Sequence, residues 1–563
     1  MFFAIFFLKK TAKTRRELDS QIVNPSIFDS SHYPESTFDM FQPVSEDVVR
    51  KTIKSLKPTT CPLDPIPTPL LIEYLETLLP TITQLINCSL SSGIFPQSFK
   101  SAVVRPLLKK SSLDQNVLKN FRPVSNLSFL SKVFEKIVLN QLFSYLNSHN
   151  LLSHNQSAYR PAHSTETALV KVTNDILLAL DRGEVTILTL LDLWAAFDTV
   201  DHDILFSTLK DHFGISGNAL SWFKSYLHNR SQSVVIDKFK SDSRTVVFGV
   251  PQGSVLGPVL FLMYTKPLLD SIDSQNISNQ SFADDTQLYG SSKPEHALHT
   301  INSLENCIHG IRGWMLENKL KLNDEKTEAI LFHAKSLLTD SLPSSITVGT
   351  SQIDFSTSAR NLGYIITDDM SLNAHISHTC RTAYIAIRQI STIRKYLTIE
   401  ATKTLVCSFV LSRLDYCNSL LAGCPQHLID KLQKVQNSAA RLIFQARKHE
   451  HITPLLHSLH WLPIHARINY KLSVLCHNFF YDSSPHYLST ILTVYTPRRT
   501  LRSSSDSLTL DVPRVRSTRF GERSFSYAAS KQWNSLPAEL RATSSITAFK
   551  RSLKTHLFRK HFD

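Results

Sequence analysis

The stretch Ser281-Phe282-Ala283-Asp284-Asp285-Thr286-Gln287-Leu288-Tyr289 sets two adjacent carboxylates at the junction of two short apolar runs. That is the pattern of a tight β-hairpin carrying acids at its tip. Adjacent acids repel each other, so a fold that keeps them together calls for a cation. A third acid, Asp192, ends the apolar run Val185-Thr186-Ile187-Leu188-Thr189-Leu190-Leu191. If the two strands are neighbours, the carboxylates project at one sheet edge. They would there hold a pair of Mg²⁺ ions about 4 Å apart, one activating a 3′-hydroxyl and one stabilising a leaving pyrophosphate. Asp also favours plain turns, and on the pair alone that reading carries equal weight.

The surrounding sequence shifts the balance. The chain has 14 glycines, and three of them, 249, 253 and 257, fall at intervals of four in Gly249-Val250-Pro251-Gln252-Gly253-Ser254-Val255-Leu256-Gly257-Pro258. Glycine lets a backbone approach a ligand or adopt positive φ. Gln252 is then placed to meet a base or sugar edge. Cations that do not titrate suit a triphosphate and a template backbone. Arg122, Arg160 and Lys109 are the candidates for phosphate contacts, although a lone Arg is more often a surface charge. Lys326 is a candidate proton donor to pyrophosphate, or an exposed helix charge. Phe197, five residues after Asp192, would clash with a 2′-hydroxyl if it lay beside the incoming sugar; core packing is the bland alternative. Asp198 and Asp201 are read as caps of a helix beginning near His202. Nucleotide polymerisation is the leading reading.

The 563 residues are 42% hydrophobic, enough for two to four domains. The net charge of +14 favours a polyanionic partner. Fourteen Lys and Arg stand against five Asp and Glu between 497 and 563, so most of the excess lies there. Tyr527, Trp533 and several Phe interleave with those charges, which suits a nucleic-acid backbone with stacked bases; a solvated helical tail is the even alternative. The eight cysteines form no C-x-x-C pair, so a disulfide scaffold or zinc ribbon is not indicated. Cys417, Cys424, His427, His449 and His451 match no common zinc spacing. The apolar start Met1–Leu8 is too short to span a bilayer, and no stretch approaches ~18 apolar residues, so no membrane partner is expected.

Periodicity predicts helices over 131–146, with Glu135 off the apolar face, over 164–180 and over 204–213, strands over 101–110 and 185–191, and a hairpin-like pair at 233–236 and 245–248. Helix and strand alternate from about 90 to 370, an α/β or α+β core. The expected divisions are a leader at 1–44, a helical extension at 45–89, a catalytic region at 90–370, a helical connector at 371–490 and a basic region at 491–563.

The order of these motifs resembles the reverse transcriptases of LINE-type (non-LTR) retrotransposons. The matching stretches are Phe121-Arg122-Pro123-Val124-Ser125-Asn126-Leu127, Tyr159 to Ala168, Leu191-Asp192 through Asp201-His202, Gly249 to Pro258, Phe282 to Asp285 and Leu322 to Glu328. Asn361-Leu362-Gly363-Tyr364 looks like that family's primer-grip element. The resemblance implies an α+β right-hand polymerase with fingers, palm and antiparallel sheet, then a helical thumb and an element-specific basic C-terminal region. It implies RNA-directed DNA synthesis with two Mg²⁺ ions, an RNA template, a DNA primer and dNTPs. It makes Asp192, Asp284 and Asp285 the acid triad and Phe197 the sugar filter. Three departures stand out. Trp194 replaces a usually small residue and would crowd a metal or nucleotide. Tyr264-Thr265-Lys266-Pro267 replaces Tyr-Ile-Asn-Asp, putting a proline into a helix end. Complete elements carry an upstream endonuclease domain, and about 45 residues precede the match. The expectation is therefore a truncated copy lacking that domain, with a decayed copy that only binds nucleic acid as the alternative.

Overall fold

The computed structural model describes residues 13–20, 35–110, 113–194, 196–334, 342–481, 483–496 and 508–563. Met1–Leu8, and Arg498, Arg499 and Arg502 of the basic region, lie outside them. The chain divides into two compact units, one of 1–159, 192–276 and 306–325, the other of 160–191, 277–305 and 326–563. No helix among the described residues is long and apolar enough to cross a membrane.

In the first unit, strand Ser101–Leu108 pairs antiparallel with Phe121–Asn126 and parallel with Arg230–Ile236. Arg230–Ile236 also pairs with the short strands Phe239–Lys240 and Arg244–Val246. Helices Leu75–Ser92, Phe129–Ser148 and Gly217–Leu227 belong to the same unit. Trp222 stacks on Tyr226 at 5.5 Å, and Phe95 meets Tyr226 edge-on at 5.1 Å, so the unit's core is an aromatic cluster.

Helix Phe129–Ser148 departs from the sequence reading at Glu135, which is fully buried. Its Oε2 accepts from the backbone N–H of Val255 at 2.6 Å and of Leu256 at 3.1 Å. Its Oε1 accepts from Ser131 at 3.0 Å. The two backbone N–H groups stand just before helix Gly257–Ser274, where a helix start needs acceptors. A carboxylate on the neighbouring helix supplies them, so a charge that reads as surface belongs in the core. Burial pushes its carboxyl up, opposed by Arg230 and by those N–H groups. Helix Gly257–Ser274 also corrects the expectation of a proline at a helix end: Pro267 lies inside it and the helix continues for seven residues.

The second unit holds a four-stranded antiparallel sheet in the order Ser278–Phe282, Asp285–Ser292, Val185–Leu191, Glu328–Phe332. The run Val185–Leu191 is rich in β-branched and aliphatic residues and lacks polar alternation, which suits a strand covered on both faces. All of it except Leu190 is buried. Helix Thr165–Arg182, capped by Ser164 and Thr167 bonding each other's backbone, packs on this sheet. Tyr289 of the hairpin donates to Asp175 of that helix at 2.7 Å.

The same helix anchors the C-terminal region. Glu166 accepts from Ser419 Oγ at 2.7 Å and pairs with Lys471 at 3.0 Å. Asn174 accepts from the Ser526 backbone at 3.0 Å, and Asp181 from the Arg516 and Ser517 backbone at 2.8 and 2.7 Å. Trp533 is fully buried and stacks on Phe480 at 5.2 Å; Phe525 and Phe549 are buried with it. These aromatics are core, which corrects the reading of them as base-stacking platforms.

Glu135→Ala is expected to lower stability by about 2–4 kcal/mol, the cost of leaving two buried N–H groups unpaired. Glu135→Gln, which keeps an acceptor, is expected to recover at least half of that in urea unfolding. Equal stability of the alanine protein would show that the carboxylate does not hold the segment.

Candidate active site

In the second unit, the register pairs Phe282 with Asp285 and leaves Ala283-Asp284 as a two-residue turn. Ala283 has φ of 58°, a left-handed conformation that favours glycine. Asp284 is half-buried in the turn and Asp285 is exposed at the start of the next strand. That strand places Thr286 opposite Leu191, and Asp192 is the next residue along the chain.

Below the turn, Gln280 and Gln287 sit opposite each other and are 0% and 1% exposed. Gln287 Oε1 accepts from Asn361 Nδ2 at 2.6 Å. Asn361 closes a second hairpin whose turn residues Leu362 and Gly363 both have positive φ. Tyr416 OH donates to the Leu362 carbonyl. A Cβ on Gly363 would lie 3.2 Å from that hydroxyl. The acid-bearing hairpin and the turn 361–364 are thus joined by a buried amide pair. Arg160 is half-buried; burial disfavours its charge and Tyr487 acts the other way, yet a guanidinium stays cationic near neutrality. Lys326 is exposed at the end of the turn Asp324–Lys326.

In the first unit, Asp192 Oδ2 accepts from Asn323 Nδ2 at 2.8 Å, and the Asp192 carbonyl accepts from the Asn323 N–H at 2.9 Å. Leu193 bridges Leu322, and the Trp194 N–H donates to the Lys321 carbonyl at 2.8 Å. The Asp192 carboxylate is therefore oriented by Asn323, a residue that sequence reasoning passed over although it lies in one of the quoted motifs. Trp194 is 38% exposed.

Phe197 stacks on Phe261 with centroids 4.6 Å apart, which fixes the ring. The segment after it is zipped to the glycine-rich stretch: Gly249 N–H donates to Val200 O at 2.8 Å and Val250 N–H to Phe197 O at 2.9 Å. A Cβ on Gly249 would fall 2.8 Å from Phe197 O. Gly253 has φ of 113°, and a Cβ there would meet Ser125 O at 2.5 Å. These close approaches account for two of the three glycines. Gln252 Nε2 donates to Asp198 Oδ1 at 2.8 Å. Asp201 alone caps the following helix, accepting from Asp203 and Ile204 N–H, and that helix spans His202–Asp211. A cavity of about 310 Å³ is lined by Asp198, His202, Arg230, Phe248 and Gln252 among others. Lys109 and Arg122 belong to paired chain segments: Lys109 N–H donates to Asn120 O at 2.8 Å, and Arg122 stands opposite Leu107. Both side chains are exposed.

The carboxylates of Asp192, Asp284 and Asp285 are oxygen donors, the ligand type that a hard divalent cation takes. Among the described residues, no three His, Cys, Asp or Glu side chains are gathered as a metal-holding group.

Residues 107–366 match the family model described as reverse transcriptase (RNA-dependent DNA polymerase). The chain is 26% identical over 447 residues to the "Probable RNA-directed DNA polymerase from transposon BS" of Drosophila melanogaster, covering 73% of this chain and 49% of that protein. It is 28% identical over 309 residues to the RNA-directed DNA polymerase from mobile element jockey of the same species, covering 53% of this chain and 33% of that one. It is 24% identical over 412 residues to the jockey polymerase of Drosophila funebris, covering 71% and 44%. The chain thus spans less than half the length of these relatives. Residues 107–366 are thus similar to the reverse transcriptase family, and the chain as a whole resembles the RNA-directed DNA polymerases of these mobile elements.

Proposed function

We propose that this chain is an RNA-directed DNA polymerase that extends a DNA primer on an RNA template by nucleotidyl transfer from dNTPs. The observation that carries the reading is the register of the acid-bearing turn. Asp284 and Asp285 precede Thr286, which pairs with Leu191, and Asp192 is the residue that follows the end of that strand in the chain. All three lie within the segment matching the reverse transcriptase family.

Asp192, Asp284 and Asp285 would hold two Mg²⁺ ions. Bound there, the metal neutralises triphosphate charge and lowers the pKa of the primer hydroxyl. The protein's own side chains supply the rest. Asn323 orients Asp192. Arg160 offers a partly desolvated guanidinium to phosphate oxygens, and Lys109 and Arg122 offer exposed cations on paired segments. Lys326 protonates the departing pyrophosphate. Phe197, fixed by Phe261, rejects a 2′-hydroxyl. Gln252, held by Asp198, and Gly253, with no side chain, let substrate approach the backbone. The turn 361–364 holds the primer end, and its Asn361–Gln287 bond ties it to the acids' hairpin. Residues 371–490 are read as the thumb.

A second reading, a copy that binds nucleic acid without catalysis, rests on Trp194, a large ring two residues from Asp192. Primer extension on an RNA template with dNTPs and Mg²⁺ separates the two. The parent is expected to extend, and Asp284→Ala to lose about a thousandfold in rate, ~4 kcal/mol of transition-state stabilisation, while RNA affinity changes little. Equal extension by both proteins would remove the acids from the chemistry. A folded parent that binds RNA without extending it would favour the second reading.

Phe197→Val is expected to raise ribonucleotide use relative to deoxynucleotide use by about tenfold or more in kcat/KM, ~1.4 kcal/mol. An unchanged ratio would show that the ring is only packing.

A further inference from the structure

The cations of the second unit differ in their surroundings. Some have a structural partner. Lys171 pairs with Asp175 at 2.6 Å, Arg182 with Glu184 at 2.7 Å and Lys471 with Glu166 at 3.0 Å. Arg394 donates to the carbonyls of Leu397, Leu442 and Ile443, and Arg541 to that of Leu508. Exposed cations without a side-chain partner also occur elsewhere in the unit, at Arg381, Arg388, Lys431 and Lys434, but a run of five sits on the last helix, Ile546–Phe562. Lys550, Arg551, Lys554, Arg559 and Lys560 are all exposed, and none makes an ion pair or hydrogen bond with a side chain among the described residues. That helix contains no acid at all.

The helix is anchored on its other side by Phe549, Leu553 and Leu557, all buried. At 100° per residue, Lys550, Lys554 and Arg551 span an arc of about 100°, with Thr555 next to Arg551. Arg551, Ser552, Thr555, His556, Arg559 and Lys560 line a shallow open groove. Arg559 and Lys560 have a structural reason, since cations stabilise a helix C-terminus. Lys550, Arg551 and Lys554 do not: they are mid-helix, and like charges at spacings of three and four repel. A solvated face would mix signs. An unbalanced cationic face held rigidly by a buried apolar stripe fits a polyanion. No large hydrophobic side chain is exposed on this helix, so it lacks what a helix needs to insert into a lipid surface.

We propose that the face bearing Lys550, Arg551 and Lys554 is a sequence-independent contact for the RNA phosphodiester backbone, separate in the sequence from the catalytic motifs. The proposal rests on the reading of the chain as an RNA-copying protein. Ammonium and guanidinium groups displace counterions from phosphates. Because none of the three cations contributes to packing, the contact can be removed without disturbing the fold.

The test is the salt dependence of affinity for a single-stranded RNA, measured on the full chain and on a variant carrying Lys550→Gln, Arg551→Gln and Lys554→Gln. Glutamine keeps the helix propensity. The slope of log affinity against log salt is expected to fall in magnitude by about 2, roughly 0.7 for each phosphate no longer neutralised. The thermal melting temperature is expected to stay that of the parent. An unchanged slope, or a parent that does not bind RNA, would overturn the proposal. So would a variant that loses binding to phosphatidylserine vesicles while keeping its RNA slope. Binding is read without polymerisation, so the two readings fail separately. A parent that cannot extend a primer while its slope still depends on these residues would sink the catalytic reading and leave this surface standing.

Discussion

The strand Val185–Leu191 is hydrogen-bonded along both edges, and the placement of the acids depends on that. Side chains alternate along a strand, so a slip of one residue would turn every carboxylate and every core residue to the wrong face. Two ladders fix the register of this strand, and any slip would pull Leu188, Tyr289 and Ile330 out of the core they share. The hairpin allows no slack either, since only Ala283 and Asp284 lie outside the pairing. Ala283 holds a left-handed conformation that costs an alanine about 1 kcal/mol, a local strain the surrounding ladder overrides. The buried Gln287–Asn361 pair then extends this rigidity to the turn 361–364.

Much of this was legible in the sequence because its cause is local. An unbroken β-branched run makes a buried strand, adjacent acids between short runs make a turn, and Ser164 three residues before Thr167 makes a helix cap. What escaped notice depends on partners distant in sequence. Glu135 reads as a solvent-facing charge until the unpaired N–H groups of Val255 and Leu256, some 120 residues away, are set against it. Asn323 orients Asp192 across 131 residues, and no local pattern reports such a bond. Of Asp198 and Asp201, the second caps the helix that starts at His202, while Asp198 accepts from the Gln252 amide 54 residues away.

The C-terminal region teaches a different lesson. Its aromatics at 525, 533 and 549 and the aliphatics at 553 and 557 follow helical spacing, a core signal that the density of Lys and Arg around them obscured. Net charge is a poor guide to which cations meet a partner. Lys471, Arg394 and Arg541 hold the fold together, whereas Lys550, Arg551 and Lys554 of the last helix are exposed with no acid on their own helix. The same helix Thr165–Arg182 that backs the four-stranded sheet receives Ser419, Lys471, Ser517 and Ser526. The basic region is therefore part of the second unit's packing, and its surface is presented by a folded body.

Everything catalytic proposed for this chain requires that Asp192, Asp284 and Asp285 serve one metal site. The most direct test is backbone cleavage by hydroxyl radicals from Fe²⁺ bound in place of Mg²⁺, with the fragments mapped by mass. Cuts are expected around both Asp192 and Asp284-Asp285, suppressed by excess Mg²⁺ and absent at both places in Asp192→Asn. Cuts at one place alone, or cuts that persist in that variant, would contradict a shared site.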